Sequence, residues 1–248
     1  MERLDLNIVK EFVNEKIVGF HQAKLSRLKE IRLKDVLRKK NPYLFKAKNI
    51  LKASDLIESI LDAFLSSSEE KLFGDFLEQL ATFVASRTTK GRKSGISGID
   101  LEFIDDGMHY LVSIKSGPNW GNSAQYKSLK LNFDNAVKIL KQQNSRANVQ
   151  PVLGMCYGKA KTAYPRGYMK VMGQNFWFLI SGNKDLYTDI IEPLGHKAKA
   201  HNDSFKKEKA KIVNKFTKEF IVDFCTNEGE IDWKKLVEFT SGNYIETQ

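Results

Sequence analysis

Apolar residues at Ile8, Val9, Phe12, Val13, Ile17 and Phe20 return at helical spacing, which predicts one long helix over residues 5–30. The stretch KKNPYLFKAKNI (39–50) breaks that period with Pro42 and mixed aromatics, and is expected to be an ordered connection. Ser54 is placed to cap a helix running to about Phe64. The Ser66-Ser67-Ser68 cluster is then expected to open a second helix, to about Ala85, buried along Leu72, Phe76, Leu80, Phe83 and Val84. Past this point the period drops to two. IDLEFIDDGMHYLVSIKSG reads as a β-hairpin with Asp106-Gly107 at its turn. Helical spacing returns over 124–142 through Tyr126, Leu129, Phe133, Val137 and Leu140. PVLGMCYG (151–158) and NFWFLISG (175–182) are continuous apolar runs of strand length, and from about Lys184 the chain reads as mainly helical.

Helices, hairpin, helix, strand, strand, helices is the order of an α/β or α+β protein with helices before and after a central sheet. No repeat, low-complexity tract or long Pro/Gly linker divides the chain. One domain is expected over 1–248, with a helical N-terminal region (1–65), a core (66–182) and a helical C-terminal region (183–248).

Charge adds a partner to this picture. The 248 residues include 40 Lys+Arg against 30 Asp+Glu, a formal charge of +10, and such a surplus points to a polyanion, most often nucleic acid. It is uneven: residues 1–52 carry fourteen basic and six acidic residues, and 197–219 carry eight and three. SRTTKGRKSGISG (86–98) has four basic residues, three glycines and no acid, and is expected to be a mobile loop whose Lys90, Arg92 and Lys93 lie along a phosphate backbone. No apolar run approaches the roughly 18 residues that span a bilayer. MERLDLNIVKEF lacks an apolar signal core, and the two cysteines build neither a disulfide framework nor a zinc cluster. A cytoplasmic protein without a membrane partner is expected.

The hairpin carries the candidate chemistry. Pairing its apolar faces sets Ile99 opposite Ile114 and Leu101 opposite Val112. Asp100 then lies opposite Ser113, with Glu102 and Lys115 on the same face. Carboxylates are hard ligands suited to Mg²⁺, and a lysine beside them stabilises charge developing on phosphorus or holds the attacking water. The alternative use of such a trio is an ordinary surface ion pair. The loop Gly117-Pro118-Asn119-Trp120-Gly121-Asn122-Ser123 follows. Asn119, Asn122 and Gln125 are suited to base edges or phosphates, whereas Trp120 reads as a packing anchor and Asn122 or Ser123 also fits a helix cap.

With NPYLFKAKN, SSSEEKLFGDFLE, GIDLEF, IKSGPNWGNS and FWFLISG in place over residues 39–200, the chain resembles type II restriction endonucleases of the PD-(D/E)XK nuclease superfamily. The resemblance implies a restriction-endonuclease-like core of central mixed β-sheet flanked by helices, and Mg²⁺-dependent, sequence-specific cleavage of double-stranded DNA. It also implies a prokaryotic restriction–modification setting, with a cognate DNA methyltransferase acting on the same site. Palindromic sites favour two-fold symmetric proteins, so a homodimer is expected. Asp100 matches the superfamily's first acid and Lys115 its lysine; the backbone carbonyl of Ile114 is placed to join the metal shell. The acid before the lysine is replaced by Ser113. A second carboxylate is therefore sought in Glu102, or in Glu69, Glu70 and Glu78 of the preceding helix. Helical phase puts Glu69 near the centre of the buried stripe, Glu70 at its edge and Glu78 opposite. Superfamily members often bring a glutamate from that helix, which favours Glu70, although Ser67-x-x-Glu70 also fits a capping box. Asp134 lies too far along its helix.

Ser113 also admits a non-catalytic DNA-binding module on a nuclease-like scaffold, and the superfamily includes structure-specific repair nucleases. Gly154-Met-Cys-Tyr-Gly158-Lys159-Ala160 has three residues between glycines where a P-loop needs four, so ATP is not expected. His196 and His201 lack partners at zinc spacing, and Cys156 reads as a buried thiol.

Overall fold

A computed structural model describes residues 1–243. Residues 1–18 and 73–196 form one compact unit; residues 19–72, with the chain from Lys197 onward, form another. The elements are α1 (Leu6–Glu30), α2 (Leu33–Arg38), α3 (Pro42–Ala47), α4 (Ala53–Thr88), β1 (Arg92–Lys93), β2 (Leu101–Asp105), β3 (Met108–Lys115), α5 (Ser123–Gln143), β4 (Asn148–Met155), β5 (Met169–Met172), α6 (Gln174–Ser181), α7 (Leu186–Asp189), α8 (Ile191–Leu194), α9 (Ala198–Phe224) and α10 (Trp233–Ser241).

The first unit is built on a mixed sheet in the order β1-β2-β3-β4-β5. β1, β2 and β3 pair antiparallel, whereas β3, β4 and β5 run parallel. Two positive-φ residues, Asp106 and Gly107, make the β2–β3 turn, the geometry a two-residue hairpin needs to match strand twist. It fixes the register Leu101↔Val112 read from the sequence. α5 is the crossover between parallel neighbours β3 and β4. It packs Leu129 and Phe133 on Leu111, Leu153 and Met155, each such side chain contributing roughly 1.5–3 kcal/mol when fully buried. α6 closes over β4, where the Phe176 ring fills the space that a side chain at Gly154 would occupy.

In the second unit, Leu56, Ile57 and Ile60 of α4 pack with Phe216, Phe220 and Phe224 of α9. A smaller cluster joins Leu28, Leu61, Leu65 and Phe205. Among the described residues no helix is long and apolar enough to cross a membrane.

Several elements differ from expectation, each for a local reason. The two helices expected over 54–85 are one helix of 36 residues. Ser67 caps nothing: its hydroxyl donates to the Ala63 carbonyl one turn back, so a serine triplet is carried within the helix. Residues 42–47 are helical, not a bare connection, because Pro42 occupies the first turn and the Asn41 side chain accepts from the Tyr43 and Leu44 amides. NFWFLISG is helix α6, not a strand, and ends on left-handed Gly182. The last strand is instead Met169–Met172, too short and mixed for a period to declare it. The basic segment is partly ordered, since Arg92 and Lys93 pair with β2.

Candidate active site

Asp100 stands immediately before β2, where its amide donates to the Val112 carbonyl at 2.9 Å. That bond extends the hairpin register by one residue and sets the carboxylate against β3. Asp100 Oδ2 accepts from the Ile114 amide at 2.6 Å and from Ser113 Oγ at 3.2 Å. Lys115 Nζ lies 3.6 Å from the same oxygen and donates to the Ile114 carbonyl at 2.8 Å. Its ammonium also stands over the Trp120 ring, 5.4 Å from the centroid. Ser113 therefore does not replace the missing acid. It is buried, and its hydroxyl orients Asp100.

A second carboxylate, on α4, lies within electrostatic reach of Asp100 and Lys115. Glu78 is half-buried, and its pKa is raised, chiefly by burial and next by the charge of Asp100; Lys93 and Lys115 oppose the rise. These four groups thus share one electrostatic neighbourhood. Gly74, one turn before Glu78, faces the Ser116 side chain just beyond Lys115. Below them, burial pushes the Cys156 thiol up to about 12, so it stays protonated.

The other residues singled out from the sequence go elsewhere. Glu102 is buried, with one oxygen held by Arg92 Nε at 2.7 Å and the other accepting from Ser94 Oγ at 3.2 Å. His109 Nε2 stands 4.0 Å away. Glu70 is exposed, and Glu69 is paired with Lys24 at 3.0 Å. Arg92 is engaged with Glu102, Lys93 faces the Glu78–Asp100 neighbourhood, and Lys90 is exposed. Asn122 and Gln125 form a reciprocal capping box at the start of α5, with bonds of 3.0 and 2.8 Å. Asn119 is exposed, and Trp120 packs edge-on against Tyr126.

Phase against the large apolar stripe set Glu78 on the far side of its helix, and this is where that inference misled. α4 is buried on a second face, lined by small residues: Gly74, Ala81 and Ala85 share the phase of Glu78, and both alanines are fully buried. A line of Gly and Ala at spacings of four, three and four around one glutamate was the available signal. Small side chains mark a helix face that lies close to its neighbours.

Among the described residues, no group of three or more His, Cys, Asp or Glu side chains is arranged to hold a metal. A two-carboxylate arrangement remains, in which Asp100 and Glu78 are close enough for one charge to raise the other's pKa. That suits Mg²⁺, which takes one or two protein carboxylates and fills its other positions with water and phosphate oxygens.

A mixed sheet flanked by helices, with an aspartate at the mouth of a hairpin and a lysine at the end of its second strand, defines a restriction-endonuclease-like α/β protein. The family model described as Type II restriction endonuclease EcoO109I matches residues 7–202, and the chain belongs to that family. No curated protein matches it.

Proposed function

We propose that the protein is a Mg²⁺-dependent endonuclease that hydrolyses phosphodiester bonds of double-stranded DNA at a specific sequence, as one arm of a cytoplasmic restriction–modification system. The observation that carries this is the convergence of Asp100, Lys115 and Glu78 at the end of the hairpin in a chain of this family.

Asp100 and Glu78 are the residues that would hold the metal, with the Ile114 carbonyl beside them. A Mg²⁺ ion bound there polarises a phosphoryl oxygen and lowers the pKa of water. The chain's own groups do the rest. Asp100 is held rigidly by the Ile114 amide and the Ser113 hydroxyl, so one oxygen is fixed and the other is left to face the substrate. Lys115 is anchored on the Ile114 carbonyl, where its charge opposes the negative charge that grows on phosphorus. Lys93 adds a second cation beside Glu78. Ser113 favours one alternative, a DNA-binding module with a silenced site, because the acid of the acid-x-Lys pair is absent.

Incubation of the protein with unmethylated phage DNA and Mg²⁺ separates the two. Discrete fragments are expected from the wild type, and none from Lys115→Ala or in EDTA. Binding without cutting, across several divalent metals, would remove the nuclease and leave the binding module.

A further inference from the structure

Between Asp134 and Asp185 the chain carries no Asp or Glu, and it carries eight Lys and Arg. Within this run, the connection from β4 to β5 is fastened directly to the end of the catalytic hairpin. The Cys156 amide donates to the Lys115 carbonyl at 2.9 Å and the Tyr157 amide to the Ser116 carbonyl at 3.0 Å. The Tyr157 ring lies against Gly117, in the space a side chain there would occupy, and Gly158 faces Pro118. The far end of the connection is held as well, by reciprocal Ala163–Lys170 backbone bonds of 3.1 and 2.7 Å.

Residues 159–164 of this connection are all exposed. Lys159 and Lys161 line a concave surface of about 440 Å³ together with Gln174 and Asn175. Among the described residues, neither lysine has a carboxylate partner, in contrast to Arg92 on the other side of the site. A loop that springs from the end of the hairpin and presents unpaired cations, in a stretch purged of acids, has the chemistry of a polyanion contact.

We infer that residues 157–164 form a phosphate-contacting loop that grips the DNA backbone next to the scissile bond, with Lys159 and Lys161 as its point charges and the exposed Tyr157 alongside. This rests on the DNA substrate proposed above and extends it to residues outside the reacting constellation. The contact is to backbone phosphate, so it adds affinity without reading sequence.

The test is binding of a short fluorescein-labelled duplex, by anisotropy over a range of salt and without divalent metal, so that nothing is cut. Each phosphate contact contributes about 0.9 to the slope of log affinity against log salt, so Lys159→Ala with Lys161→Ala should flatten it by about 1.8. Lys159→Arg with Lys161→Arg should keep the wild-type slope. Lys234→Ala with Lys235→Ala, from the acid-rich C-terminal segment, should leave it unchanged. A slope unaltered by the first pair, equally flattened by the control pair, or not restored by arginine would overturn the loop assignment while leaving the DNA substrate intact. Wild-type protein that fails to bind duplex at low salt would overturn both.

Discussion

At Glu78, two demands conflict. A carboxylate raised by burial and by the Asp100 charge is more easily protonated in the folded chain than in the unfolded one. The folded state then gains stability below the ordinary carboxylate pKa and loses it as pH rises through the raised value. At neutral pH the site holds an ion that destabilises the fold. Glu78→Gln in metal-free protein should therefore melt higher than wild type at pH 7, and this advantage should vanish as pH falls below the ordinary carboxylate value. Thermal melts at several pH values check it; an equal or lower melting temperature at pH 7 would contradict the geometry. The same variant should lose about two orders of magnitude or more in cleavage, the scale of removing one stabilising group from a transition state, while keeping its DNA affinity. Ser113 makes a different prediction. Its hydroxyl is one of two hydrogen-bond donors to Asp100 Oδ2, so Ser113→Ala should cost about 1–2 kcal/mol in urea unfolding and weaken cleavage only through a looser Asp100.

α4 shows at the scale of an element why some features were legible in the sequence and others were not. The hairpin could be read because three signals agree on one register: Asp106-Gly107, the alternation of Ile99, Leu101 and Phe103 with Asp100 and Glu102, and apolar faces that pair. With that register, the Asp100–Ser113–Lys115 arrangement followed from the sequence alone. The serine triplet, by contrast, carries only a local preference. Serine favours caps because its side chain competes for backbone groups, but in a helix fixed by packing on both sides it satisfies itself on the preceding turn. Substitution distinguishes the two situations by sign. If Ser67 were a cap, alanine would cost about 1 kcal/mol. In the interior of a continuous helix, Ser67→Ala should instead stabilise by about 0.5 kcal/mol, the propensity difference, and denaturant melts resolve the direction. α6 was missed for a related reason: a run of five apolar residues, Phe176 to Ile180, suits a buried strand and a buried helix equally, and only packing over β4 decides. The close approach of Phe176 to Gly154 is what commits it to a helix here. Gly154→Ala should thus cost about 1–3 kcal/mol, since a fully buried ring has nowhere to move.

The whole molecule presents one Asp100–Glu78–Lys115 constellation among its described residues, and a duplex has two strands to cut. If, as proposed, each constellation hydrolyses one phosphodiester per encounter, a symmetric site would be met most simply by two copies related by a two-fold axis. A homodimer with one centre per strand makes a prediction that bare sizing does not. When wild type is co-folded with an excess of Lys115→Ala, most wild-type chains are paired with a dead partner. Supercoiled plasmid bearing a single site should then accumulate as the nicked circle, because each mixed dimer cuts only the strand facing its intact lysine. A chain that acts alone and cuts the strands in turn would instead give linear product in proportion to the wild type added, whatever the excess of variant. Gel resolution of nicked from linear plasmid decides between them, and the ratio should move toward linear as the wild-type fraction is restored.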